Sequence, residues 1–578
     1  MEFQSLNIFI YLMPFLVAFL IILLFSTCYS EQNSEEQLFS KSANGSDAAI
    51  VTAHHLATEA GLEVLREGGT AADAMIASQF ALAVVCPRAG NIGGGGFCVY
   101  RTSDGSSFAL DFRETAPLKS SRDMYLNEHG NPLTGMSLKG YKAVGTPGTV
   151  SGLSALHARL GTKPWNRLLE PAIRLAKTGF AVSESEASRL NLYQSDFATF
   201  NPDTIPFRKA SPWKEGDTLK QPTLAGTLEL IAQHGKNGFY EGKVAQAIET
   251  SMTQNGGFIT KDDLEQYTPI WRNPLIDSFR NFRIISMPPP SSGGVALIQM
   301  LQMIDKRLDQ CQYGSEAYIH LIAEAARRAY ADRAAYLGDP EFSHVPVAKL
   351  TGHEHLTAKM TTFHPDTATL SLNLADTMMN LSVEQFETTH TSIVDAFGHS
   401  ASLTTTLNSN YGSKVWVHGG GFFLNNEMDD FSIKPGVPNQ FGLVGAEANA
   451  IAPKKRMLSS MTPTIIEKNG NLFLVLGTPG GSTIITSVLQ VFLNTGIFYM
   501  PLDEAITAGR FHHQWLPDEI LYEKNSFPKP LQSALKKKGH VLREVNRIGL
   551  VKAILQTPDG TLEACGDQRN PDDNAAAY

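Results

Sequence analysis

Residues 390–396 (HTSIVDA) and 400–408 (SASLTTTLN) each show a strand-like period, and they flank the short stretch Phe397-Gly398-His399. Two such segments around a three-residue loop with a central glycine spell a β-hairpin, which commits this part of the chain to an antiparallel sheet. With Ala396 paired to Ser400, paired numbers sum to 796, so Thr388 stands opposite Asn408 and His390 opposite Thr406. Residues two apart share a face, and Thr388, Thr406 and Asn408 converge on one patch, in a register set to within a residue or two. The hydroxyls are the oddity. Thr388, Thr389, Thr391, Thr404, Thr405 and Thr406 stand where Val and Ile are the usual choice, and by pattern alone the pair reads as half-exposed.

Around the hairpin, helical and strand periods alternate without repeats. Residues 56–67, 71–85 and 315–337 read as helices, the second started by Thr70 and stopped by Pro87, the third stopped by Gly338 and Pro340. Strand patterns fall at 97–101, 107–113, 415–424, 463–467 and 471–476. Such a mixture in a chain of 578 residues predicts a layered α+β architecture. Residues 363–387 are polar and aperiodic, and they predict a flexible tail running into Thr388.

Several function classes drop out on composition. A net charge of −9 gives no footprint for a nucleic-acid partner, and none is expected. Cys28, Cys86, Cys98, Cys311 and Cys565 show no CxxC spacing, which signals neither zinc nor a disulfide framework. The adjacent pairs His54-His55 and His512-His513 point their side chains apart, and His353-Glu354-His355 lacks the HExxH spacing, so no metal is expected. Residues 6–27 are an uncharged apolar run followed by small residues, read either as a signal peptide cut after Ser30 or as an uncleaved anchor. Both readings place the body outside the cytoplasm, periplasmic or secreted, with membrane contact only through residues 6–27.

Two glycine clusters invite a phosphate-binding reading. GNIGGGGF (90–97) follows a helix and precedes a strand, the reverse of a dinucleotide site, and is read as a place where backbones approach closely. LVLGTPGGSTIITSVLQ (474–490) has strand, turn and helix in the right order but no P-loop lysine. It offers free backbone N–H groups at a helix N-terminus, suited to an oxyanion or a carboxylate. No cofactor is implied.

The words TTHTSIVD, TLNSNYGS, GGGFFLNNEMDDFS, PGVPNQFGLVG, LSSMTPTI, LGTPGGS and AGRFHHQWLPDE, with LDFRETAP and PPPSSGG upstream, resemble the γ-glutamyltranspeptidase family in order and spacing from about residue 47 onward. The resemblance implies an N-terminal-nucleophile hydrolase with a four-layer αββα sandwich, made as a proenzyme. Cleavage of the Glu387–Thr388 bond would give a large subunit, 31–387, and a small subunit, 388–578, which stay together as a heterodimer. Thr388 is then the nucleophile, with its own new α-amino group as base.

Other roles follow from the same resemblance. Thr406 orients the nucleophile, and Gly480 and Gly481 form the oxyanion hole. Arg113, Ser459 and Ser460 hold the substrate α-carboxylate, while Asn408, Glu427 and Asp430 receive the α-amino group. Both charge signs suit one zwitterionic glutamyl head. The expected activity is transfer of the γ-glutamyl group of glutathione and related compounds to water or to amino acid and dipeptide acceptors. An acylase or poly-γ-glutamate specialist, or a non-catalytic surface protein, are the alternatives. Phe441 stands in the family's lid loop where many bacterial members place tyrosine, so a looser lid is expected.

Overall fold

A computed structural model describes residues 40–133, 135–374 and 388–578. The apolar run 6–27, the leader boundary at Ser30 and Glu387 lie outside the described residues. Two seven-stranded sheets stand at the centre. The first runs Asn574–Ala577, Ala49–Thr52, Thr388–Val394, Ser400–Thr406, Gly95–Arg101, Ser107–Phe112, Ile270–Arg272. The second runs Ser42–Gly45, Leu562–Cys565, Lys552–Gln556, Asn471–Gly477, Thr464–Lys468, Phe282–Ser286, Leu275–Phe279. In both, neighbouring strands are antiparallel.

Alternation along each strand divides the core. On Gly95–Arg101, Phe97 and Val99 pack with Ile285, Ile465 and Val475 between the sheets, while Cys98 and Tyr100 pack with the helices outside the first sheet. Those helices are His55–Arg66 and Ala71–Val85. Thr70 and Asp73 form a capping box at the start of Ala71–Val85, which is apolar on all sides because every residue in it is buried. Gly293–Leu308, Glu316–Tyr336 and Ile484–Gly496 cover the second sheet. The result is helix, sheet, sheet, helix, the sandwich that the resemblance implies.

The hairpin forms with a different register. Thr388 pairs with Thr406 and Val394 with Ser400, so paired numbers sum to 794, two fewer than 796. The loop is five residues because Asp395 closes it: Oδ1 accepts the N–H groups of Phe397 and His399, both at 2.9 Å. Asp395 Oδ2 accepts the Ala71 N–H at 2.7 Å, tying the turn to the start of a helix. A shift of two preserves faces, so Thr388 and Thr406 still meet, directly opposite one another.

Both strands are wholly buried, so the half-exposed reading fails. The hydroxyls bolt one sheet to the other. Ser392 Oγ donates toward Lys552 O at 3.2 Å, and Ser402 Oγ donates to Leu476 O and accepts the Thr464 N–H, each at 3.0 Å. His390 sits between Thr404 and Ser392 at 2.8 and 3.0 Å, its ring filling the space left by Gly477.

The expected flexible tail divides. Residues 375–387 lie outside the described residues, but 363–374 are tied down. Glu324 accepts Thr369 N–H and Oγ1–H, Asp518 accepts the Ser371 N–H, and Trp515 Nε1 donates to Ser371 O. Polar side chains here make local bonds that no hydrophobic period would reveal.

Candidate active site

The nucleophile candidate is positioned by backbone. Thr388 opens its strand on the face between the sheets, with Oγ1 3.4 Å from Thr406 Oγ1, which also accepts the Asn408 N–H at 2.7 Å. Asn91 holds this strand end by donating to Thr406 O at 2.9 Å. Close packing explains the glycine run: a Cβ on Gly94 would lie 2.1 Å from Thr406 O, and one on Gly96 2.4 Å from Thr404 O.

The second glycine cluster makes a strained turn. Gly480 has φ +142° and Gly481 φ +54°, after which a single 3-10 turn, Gly481–Thr483, leads into Ile484–Gly496. Gly480 O accepts from Thr483 N–H and Oγ1–H, which folds the turn so that its leading amides are left without carbonyl partners. Tyr330 OH donates to Ser482 O and fixes the turn from a neighbouring helix. Gly481 lines the pocket that holds Thr388, whereas Gly480 lines a larger cavity of about 650 Å³ beside it.

Thr388, Thr406, Asn408, Arg113, Glu427, Asp430, Phe441, Ser459, Ser460 and Gly481 all line one pocket. Arg113 is 1% exposed, donates from Nη2 to Asp430 Oδ2, and has Nη1 2.7 Å from Glu427 Oε2 and 3.4 Å from Glu114 Oε2. The two ends of the expected zwitterion clamp therefore touch each other. Asn408 Nδ2 donates to Asn426 O at 3.1 Å, which leaves its oxygen as the acceptor on the other side. Burial pushes the Glu427 and Asp430 carboxyls up, with Arg113 opposing; Glu114 is raised to about 7 for the same reason.

PPPSSGG acquires a task. Ser291 Oγ donates to Met461 O at 2.6 Å, and Ser292 donates to Ser459 O from both N–H and Oγ at 2.7 Å, bracing the Ser459-Ser460 loop. Two groups at the site escaped the sequence reading. Glu114 follows Arg113 directly and pairs with it, and Arg333 lines the pocket from Glu316–Tyr336, which the sequence reads only as a helix.

A family model described as Gamma-glutamyltranspeptidase matches residues 57–577. This chain belongs to the gamma-glutamyltranspeptidase family. The glutathione hydrolase proenzyme of Escherichia coli (strain K12) is 43% identical over 525 residues, 90% of each chain. The solved gamma-glutamyltranspeptidase of Helicobacter pylori is 47% identical with TM-score 0.54, covering 55% of this chain and 91% of that one. Cephalosporin acylase from Bacillus halodurans shares the fold, with TM-score 0.80 at 24% identity over 93% of this chain and 97% of its own.

In this gamma-glutamyltranspeptidase the loop expected to form the lid carries its phenylalanine inward. Phe441 is 6% exposed, and Gln514 Nε2 donates to its carbonyl at 3.0 Å. Asn439 Oδ1 accepts the N–H groups of Phe441 and Leu443, and Asn439 Nδ2 donates to Asp430 Oδ1 at 3.3 Å. The loop is tied by amide groups and ring burial.

One histidine pair also differs from expectation. His54 and His55 stack at 4.6 Å, since His54 is an extended N-cap accepting the Leu56 N–H. Among the described residues His320, Glu324 and His540 bring three ligand atoms together. Glu324 is already held by Arg327 and Arg328, and the two rings bond each other at 2.7 Å.

Proposed function

We infer that this chain is a self-processing γ-glutamyltransferase and glutathione hydrolase. Thr388 Oγ1 attacks the carbonyl of residue 387, the acyl group shifts from N to O, and water hydrolyses the ester. That releases an α-amino group at Thr388, with a reference pKa of about 7.7–8.0, which serves as base for the same hydroxyl. The hydroxyl then attacks the γ-carbonyl of the donor, and the amides at Gly480 and Gly481 receive the oxyanion. The leaving amine takes the proton. A γ-glutamyl-Thr388 ester remains, which water or an acceptor amine resolves.

The observation that supports this most is the pocket itself, where Thr388, Gly481, Arg113, Asp430 and Ser460 stand together although residues 113 and 460 are far apart in sequence. The larger cavity beyond Gly480 is suited to the leaving peptide and to amino acid or dipeptide acceptors. The apolar run 6–27 supports export to the periplasm or beyond, either cleaved or anchored. Among the described residues no helix is long and apolar enough to cross a membrane.

Purified protein should appear as two fragments, the smaller starting at Thr388 and holding 578 − 387 = 191 residues. Thr388→Ala should remain one chain and release no anilide from γ-glutamyl-p-nitroanilide. Mass spectrometry of both N-termini decides the matter, and a cut Thr388→Ala protein would sink the mechanism.

A further inference from the structure

The motif AGRFHHQWLPDE (508–519) bonds both to the loop that carries Phe441 and to the first turn of Ile484–Gly496, the helix into which the Gly480-Gly481 turn leads. Gln514 Nε2 donates to Phe441 O at 3.0 Å and to Leu516 O at 3.2 Å, and Gln514 Oε1 stands 2.9 Å from His512 Nε2. Across the ring, His512 Nδ1 stands 2.8 Å from Thr486 Oγ1. All three side chains are buried. Trp515 Nε1 donates to Ser371 O at 2.9 Å and the Tyr330 ring meets His512 edge-on at 5.5 Å, so the motif is held from both sides.

One arrangement of protons satisfies these contacts. Two carbonyls demand the Gln514 amide nitrogen, so its oxygen faces His512 and accepts. Burial lowers the His512 pKa to about 3, so the ring is neutral and carries a single proton. That proton sits on Nε2, which leaves Nδ1 as an acceptor. The Thr486 hydroxyl has one proton to give. It goes to Nδ1 rather than to Thr483 O at 3.1 Å, which Ser487 Oγ already serves at 2.9 Å. The bonds therefore point one way, from Thr486 through His512 to Gln514 and on to the Phe441 carbonyl, and reversing any of them would set buried acceptor against acceptor. We propose that Thr486, His512 and Gln514 form a directed relay in which Gln514 is a positioning residue for the lid, holding the Phe441 carbonyl in step with the turn that receives the oxyanion. Exclusion of water and stabilisation of the oxyanion then depend on one rigid unit. This rests on the γ-glutamyl reading above and on the lid expected with it.

The alternative is that these are separate packing contacts. The share of γ-glutamyl groups passed to Gly-Gly rather than to water, with γ-glutamyl-p-nitroanilide as donor, tells the two apart. Gln514→Glu keeps the shape but sets acceptor oxygens against two carbonyls, and the transfer-to-hydrolysis ratio at fixed Gly-Gly should fall about fivefold or more. Thr486 lies outside the pocket lining, yet Thr486→Val, which removes only the hydroxyl, should lower the same ratio about twofold or more. Thr486→Ser keeps the hydroxyl and should hold the wild-type ratio. The double variant Gln514→Glu, Thr486→Val should be no worse than Gln514→Glu alone, since both break the same chain. Multiplied losses, or a wild-type ratio in Thr486→Val, would show independent contacts and overturn the proposal. If Gln514→Glu does not give a cut heterodimer, the two variants at 486 decide alone: a fall in Thr486→Val without one in Thr486→Ser supports the relay, and any other result overturns it. Wild type that releases anilide but forms no γ-glutamyl-Gly-Gly has a site open to water, which overturns the relay and leaves the hydrolase standing. Wild type that releases no anilide refutes the functional reading, and the relay with it.

Discussion

Arg113 has more acid around it than one guanidinium can neutralise. Arg113→Ala strands Glu114, Glu427 and Asp430 in a buried pocket, and removing one partner of a buried ion pair costs about 3–5 kcal/mol. That variant should therefore lose thermal stability as well as activity. Asp430→Asn leaves Arg113 two carboxylates, so its melting temperature should change little, while loss of a charge-assisted bond to the substrate ammonium, worth about 1.5–3 kcal/mol, should lower kcat/KM roughly 10- to 150-fold. Paired melting curves and kinetics check both; equal destabilisation of the two would contradict the pairing.

The same carboxyls predict a pH dependence. Burial raises Glu114 to about 7 and also pushes the Glu427 carboxyl up, so the pocket takes up protons as the solution becomes acidic. As pH falls through 7 the cluster gains a proton and loses attraction for an ammonium, so the inhibition constant of L-glutamate should rise. Glu114→Gln should flatten that rise. Calorimetric titration between pH 6 and pH 8.5 checks it; a constant that does not change would show that the cluster titrates elsewhere. Glu114 was invisible beforehand because its neighbour Arg113 carried the motif, and Arg333 because the helical pattern of 315–337 does not say which of its charged residues reaches the pocket.

At the scale of elements, the lid and the hairpin teach different lessons. Asn439 ties the lid to Asp430 and to two of its own amides, so Asn439→Ala should open the loop without touching the nucleophile. Water should then reach the acyl-enzyme more easily, and the ratio of transfer to hydrolysis at fixed Gly-Gly should fall several-fold. Product chromatography measures it, and an unchanged ratio would move acceptor choice to the cavity beyond Gly480. The hairpin's existence and facing were legible, because a period of two survives an even slip. Its register was not, because Asp395 closes a five-residue turn through side-chain bonds. Helix ends at Pro87 and Gly338 were readable from local chemistry alone; the lid's tightness depends on Gln514, distant in sequence.

On the scale of the whole molecule, layer order was legible from the mixture of periods together with the family motifs. Which strands neighbour which was not, since no local pattern says that Ala49–Thr52 lies between Asn574–Ala577 and Thr388–Val394. That braiding has a consequence for the molecule's history. Both sheets interleave strands from either side of the 387/388 junction, so neither segment owns a complete sheet. While the chain is continuous, folding is a first-order search; after the cut, the same sheets can be rebuilt only by an encounter of two polymers. Unfolded and diluted, Thr388→Ala should regain its native circular dichroism at a rate independent of concentration. The cut enzyme should recover at a rate that falls with dilution, or should not recover. Maturation would then be a ratchet: the bond that is broken to make the catalyst also carries the instructions for making it again, and each molecule can use them once.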